Sequence, residues 1–98
     1  WHTLSLHDAL PIYLVLAGDF NFDASVVAQD STDQRLYRFL TGELADAGKD
    51  AGATTVVSRR LDYVFVRGPG ITRVRASVLR DKRINIMDHD PLVVELHL

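Results

Sequence analysis

Apolar runs broken by turn-forming residues divide the chain into an ordered set of elements. Residues 13–17 (Tyr-Leu-Val-Leu-Ala) are continuously apolar and stop at Gly18, the pattern of a strand buried on both faces. Residues 20–30 show no period and read as loop. Ser31 then opens a predicted helix, with Gln34 placed as its capping-box partner. Leu36, Phe39, Leu40 and Leu44 recur at spacings of three and four, which predicts one apolar helix face ending at Gly48. Residues 49–52 are turn-like, and residues 53–57 predict a short strand. Residues 61–66 predict a stronger one, with Leu61, Tyr63 and Phe65 on one face and Asp62, Val64 and Val66 on the other. Gly68-Pro69-Gly70 is a turn by its backbone geometry. Residues 71–79 alternate between a wet and a packed face, as in an antiparallel strand with an exposed side. Pro91 precedes a final strand over residues 92–98, a position where no ladder donor is lost.

Strand, helix, then a cluster of strands is an α+β pattern. A hairpin through Gly68-Pro69-Gly70 would make the sheet mostly antiparallel beside one main helix. Ninety-eight residues make one domain or part of one, and 47% hydrophobic with 24% charged residues is a globular balance. No apolar run reaches the ~18 residues of a membrane span. Cysteine is absent, which excludes disulfides and thiolate metal sites. A metal would then be held by oxygen or imidazole, a donor set that favours magnesium, manganese or calcium. The net charge of −2 argues against nucleic-acid binding by field alone. Arg73, Arg75, Arg80, Lys82 and Arg83 nonetheless crowd the stretch before Asp88-His89. They form either a solvated strand and loop or a phosphate-facing rim.

Candidate chemistry falls at strand ends. Asp19 and Asn21 follow the first apolar run, and continued extension through Phe20 would send both to one side and Phe20 to the core. A carboxylate there can bind a cation or orient water, and the amide can donate to a phosphoryl oxygen. The competing reading is a local Asx-type turn. Asp62 lies in a mostly apolar stripe, where a carboxylate is costly unless paired. His89 is its candidate partner, since an Asp accepting from one ring nitrogen fixes the tautomer and orients the ring. A salt bridge to Arg59 or Arg60 is the alternative. Asp88 and His89 are tied to the last strand through Pro91. Asp90 has no assigned role, and His97 reads as a surface or edge residue.

Three segments in this order carry a family resemblance: Gly18-Asp19-Phe20-Asn21, then Arg59-Arg60-Leu61-Asp62-Tyr63-Val64-Phe65-Val66, then Met87-Asp88-His89-Asp90-Pro91. They resemble the C-terminal half of the endonuclease/exonuclease/phosphatase superfamily of metal-dependent phosphoesterases. The resemblance spans residues 13–98 and implies half of a four-layer α/β/β/α sandwich. It implies hydrolysis of a phosphodiester or phosphomonoester by an activated water, with Mg2+ (or Mn2+) as cofactor. It further implies catalytic roles for Asp19, Asn21, Asp62 and His89, metal binding by Asp19 and Asp88, and phosphate binding by Asn21 and His89. Met87 departs from the family's motif, which has Ser there, and a hydroxyl hydrogen bond is lost with it. The substrate is left open among nucleic acid, a phospholipid head group and a small phosphate ester, and the location between bacterial cytoplasm and export.

Residues 1–12 stand apart. Residues 3–12 read, one codon each, as ACT CTT TCC CTA CAC GAC GCT CTT CCG ATC, which resembles a translated short-read sequencing adapter, and His2 and Tyr13 fit its flanks. They are expected to be an artefact, so His7 and Asp8 enter no site. The family's N-terminal half, with its Asn and Glu metal ligands, has no counterpart in residues 13–98. On this reading the chain is a fragment, inactive alone, whose missing half is its first partner. A non-catalytic binding or interaction module on the same half-sandwich is the alternative.

Overall fold

Alternation along residues 61–66 decides where the core lies. The computed structural model describes residues 12–26, 31–82 and 87–98. The adapter-like residues 1–11 and Arg83 lie outside them. Strand β1 spans Leu14–Asp19, helix α1 Thr32–Thr41, β2 Ala45–Asp46, β3 Asp62–Arg67, β4 Thr72–Val78 and β5 Leu92–His97, with a 3₁₀ turn at Arg80–Lys82 before β5. The fold is α+β, with one α-helix among the described residues and antiparallel strand pairs. One sheet has the order β1-β3-β2, and β4 and β5 form a second.

The side of β3 that carries Tyr63 and Phe65 packs with Phe22 as the buried centre, and Phe20, Tyr37, Leu40 and Leu44 close around it. The rings of Tyr63 and Phe65 stack with centroids 5.3 Å apart, and Phe20 meets Phe65 edge-on at 5.2 Å. Both arrangements suit the aromatic quadrupole. Phe20 thus turns into the core, as the alternation from Asp19 predicts.

The core is tied by the Tyr63 hydroxyl. It accepts the Ala24 N–H at 2.8 Å and lies 2.7 Å from the Arg60 carbonyl and 3.0 Å from that of Phe22. Burial pushes this phenol up to about 12, so it keeps its proton and donates. Arg60 lies over the Tyr63 ring at 4.5 Å and pairs with Asp46 at 2.6 Å. The second Asp46 oxygen accepts the Tyr37 hydroxyl at 2.7 Å. An ion pair this buried is tolerated when both partners have further contacts, as here.

The helix starts as expected and otherwise differs. Ser31 caps it by accepting the Gln34 N–H at 3.1 Å. The Gln34 side chain, however, reaches the carbonyls of Ala24 and Val26, so the reciprocal half of the capping box is replaced by a tether to the preceding loop. The helix ends at Gly42, not Gly48. Gly48 is instead a close approach: a Cβ there would meet a Leu92 methyl at 3.3 Å. The packed stripe is Tyr37, Leu40 and Leu44, while Phe39 is 79% exposed and Leu36 is exposed. Tyr37 wins the inward face because its ring joins the aromatic cluster and its hydroxyl finds Asp46.

Four strand expectations are also corrected. Residues 53–57 contribute only an isolated bridge, Thr55 to His89. The turn at Gly68-Pro69-Gly70 does not form a hairpin: β4 pairs with β5 rather than β3. The reason is that β1 pairs along the whole of β3 on one side and β2 pairs with Phe65 and Val66 on the other, at the end where a hairpin would begin. Strand β1 was expected buried on both faces, yet it is exposed throughout. It is an edge strand, and its apolar residues, Val15 at 52% exposure among them, have no layer over them among the described residues. Residues 72–75 of β4 are likewise exposed on both faces, so the expected packed face begins only at Ala76.

Replacing Tyr63 by Phe keeps the stacked ring and strands the Ala24 N–H. The expected cost is about 1–3 kcal/mol, read as a lower urea midpoint with an unchanged slope. An unchanged midpoint would mean that the hydroxyl does not hold the 22–24 loop.

Candidate functional site

The register of β1 against β3 sets Asp19 directly opposite Asp62 at one end of the ladder. Like charges facing each other across strands destabilise a sheet, so something positive is needed there. His89 supplies it. Its Nδ1 lies 2.6 Å from Asp62 Oδ2, and its Nε2 lies 3.6 Å from Asp19 Oδ2 and 3.9 Å from Asp88 Oδ1. The Asp62 carboxylate accepting from Nδ1 is the main cause that raises the imidazole pKa. Burial opposes that rise, and the charges of Asp62, Asp19 and Asp88 add to it. The ring is thus held with Nδ1–H toward Asp62 and Nε2 facing the other two carboxylates.

Thr54 brings the pieces together. It is 1% exposed. Its Oγ1 accepts the N–H groups of Leu61 and Asp62 at 3.0 and 3.1 Å, which fixes the start of β3. Its carbonyl accepts the Asp90 N–H at 2.8 Å. The adjacent Thr55 forms the bridge to His89, and the Asp88 carbonyl accepts the Val56 N–H at 3.0 Å. One short segment therefore positions both halves of the Asp62–His89 pair. Asp90, which the sequence left without a role, is buried where its backbone docks on Thr54.

The structure gathers Asp19, Asp62, Asp88 and His89. Asn21 departs from expectation. Its backbone is left-handed, with φ of 55°, and its N–H donates to Asp19 Oδ1 at 2.8 Å. This is the local Asx-type turn, so extension does not persist through Phe20. Among the described contacts, Asn21 joins the group through its backbone N–H alone. Of the two alternative partners of Asp62, Arg60 pairs with Asp46 instead, and the Asp62 carboxylate meets His89.

Of the two readings of the arginine stretch, the described residues favour the solvated strand and loop over a phosphate-facing rim. Arg73 pairs with Asp50, Arg75 with Glu95 at 2.8 Å, and Arg80 donates to the Ala53 carbonyl at 2.9 Å. Only Lys82 of the described basic residues lines the cavity beside His89, a space of about 410 Å³. Met87 lines the same cavity, and His97 is exposed opposite Thr72.

Asp19, Asp62 and His89 each offer one ligand atom, and these atoms lie within 4.8 Å of one another. Oxygen donors beside one imidazole suit a divalent cation. With Asp62 accepting from Nδ1–H, a neutral ring presents the Nε2 lone pair to a cation, whereas a protonated ring presents Nε2–H to an anion instead. Asp88, with its side chain 85% exposed, can complete an open site.

No family model, curated protein or solved structure matches the chain. Among the described residues, no helix is long and apolar enough to cross a membrane.

The site carries a pH signature. The folded-state pKa of His89 is raised above its ordinary value of 6.5. Its stabilising contribution is therefore complete below that pH and is lost as pH climbs through the raised value. Asp62→Asn is expected to move the His89 titration back toward the ordinary range and to flatten this part of the stability profile. Imidazole resonances followed by NMR across pH, beside thermal midpoints, check both. An unmoved His89 titration in Asp62→Asn would contradict the pairing.

Proposed function

We propose that the chain carries part of the active site of a divalent-metal-dependent phosphoesterase, which hydrolyses a phosphodiester or phosphomonoester by activated water. The observation that carries this reading is the imidazole of His89 set between Asp62 and the Asp19–Asp88 carboxylates. Asp62 holds the Nδ1–H tautomer. Protonated Nε2 is then a positioned donor for a phosphoryl oxygen, where charge develops in the transition state. Asp19 is placed to orient the attacking water or accept its proton. Asn21 is retained as a phosphate donor, its exposed amide carried on a turn that Asp19 anchors. Asp19 and Asp88 would hold Mg2+ or Mn2+, which when bound neutralises phosphoryl oxygens and eases departure of the leaving group.

In this reading the two sheets and the helix belong to a four-layer α/β/β/α sandwich of the endonuclease/exonuclease/phosphatase type. In such a sandwich a second half would cover the exposed apolar residues of β1 and add metal ligands. Phosphate in a nucleic acid, a phospholipid head group or a small ester satisfies the same donors.

A second reading is favoured by the open β1 edge itself. Exposed apolar strand edges pair readily with other chains, which suits a non-catalytic interaction module. Magnesium or manganese separates the two. At about a hundredfold excess over Kd a bound ion stabilises by about 2.7 kcal/mol, a thermal shift of roughly 10–20 °C for a domain of this size. The phosphoesterase reading expects that shift, and expects Asp19→Ala with Asp88→Ala to abolish it. A double variant that responds to the ions as the parent does would favour the interaction module.

A further inference from the structure

The cavity beside His89 is chemically two-sided. Ala17 and Val64 face each other across the β1–β3 ladder and line the cavity together with Met87 and Leu92. All four are apolar. His89 and Lys82 stand at the same cavity as its basic groups, beside the carboxylates of Asp62, which is engaged by His89, and Asp90. The Lys82 ammonium has Asp81 at 3.7 Å, both side chains being largely exposed, so it can turn toward an anion. Met87 is half-exposed at the cavity. A flexible thioether there supplies adaptable apolar surface.

We infer that this cavity takes the organic part of the substrate, and that the substrate is a small phosphoester bearing an apolar, uncharged group. The inference rests on the phosphoesterase reading and names its substrate class. Phosphate lies against His89 and Lys82. The substituent lies between Val64, Met87 and Leu92. A space of about 410 Å³ holds a ring or a short alkyl group with room for the phosphate. Nucleic acid fits less well. Single strands are gripped by exposed aromatic platforms and a basic groove. Here the exposed aromatics Tyr13 and Phe39 are not among the described residues that line the cavity, Tyr63 at its wall is buried, and Arg73 and Arg75 are paired with Asp50 and Glu95.

Met87 is the chain's single methionine, so a carbon-13 methyl label gives one resonance inside the cavity. Phenyl phosphate, inorganic phosphate and benzyl alcohol are titrated separately into the full chain in magnesium buffer, and the Met87 methyl and His89 ring signals are followed. Phenyl phosphate is expected to shift both signals and to bind ~10-fold more tightly than inorganic phosphate, the order that burying part of a ring confers. Met87→Ser should bring that ratio close to one, and Val64→Ala should lower it. If phenyl phosphate and phosphate shift His89 with equal affinity and Met87 stays still, the substrate class is wrong while the phosphoesterase reading survives. If benzyl alcohol shifts Met87 but neither phosphate shifts His89, both fall.

Discussion

The buried hydroxyl and carbonyl of Thr54 are the constraint on which the site depends. β3 and the 88–90 loop are far apart in sequence and belong to different sheets. Thr54 Oγ1 satisfies two N–H groups at the start of β3, and its carbonyl satisfies Asp90. Two adjacent backbone amides, otherwise buried without acceptors, would each be costly. Satisfying them with one hydroxyl fixes the height at which Asp62 leaves the strand. Satisfying Asp90 from the same residue fixes where His89 stands relative to it. The 2.6 Å contact between Asp62 and His89 follows from those backbone bonds.

The aromatic core and the site are two faces of one strand. Tyr63 and Phe65 face the helix and anchor β3, while Asp62 and Val64 face the other way. A strand so firmly held on one side can carry a carboxylate on the other. The register of β1 then forces Asp19 against Asp62. That juxtaposition is unfavourable alone and becomes favourable with an imidazolium or a cation between them. The structure thus places negative charge together where either a proton on His89 or a divalent ion can neutralise it. Arg60, two residues before Asp62, is withdrawn from this balance by its pairing with Asp46.

Much of this was legible in the sequence where a single strong period governs. The alternation of residues 61–66 identified the core face and marked Asp62 as a carboxylate in need of a partner. Ser31 announced the helix start. What was not legible depends on competition between elements. Gly68-Pro69-Gly70 reads as a hairpin turn, but only the sheet order reveals that β1 and β2 already flank β3 at the end where the hairpin would begin. Leu36 and Phe39 fit the helical period as well as Tyr37 and Leu40 do, and the hydroxyl of Tyr37 meeting Asp46 decides between them. Asn21 prefers a local bond to Asp19 over continued extension. Thr54 gives no periodic signal at all, because its importance lies in long-range backbone acceptors rather than in its own apolar pattern.

The most direct test compares Thr54→Val with Thr54→Ser, since valine keeps the shape and removes the hydroxyl while serine keeps the hydroxyl. The measurement is the low-field proton resonance of the His89 Nδ1–H that is donated to Asp62. If the Thr54 clasp sets the pair, the resonance persists in the parent and in Thr54→Ser, and is lost or moves upfield in Thr54→Val while the Tyr63 and Phe65 ring signals stay dispersed. An undiminished resonance in folded Thr54→Val would show that Asp62 and His89 find each other without it.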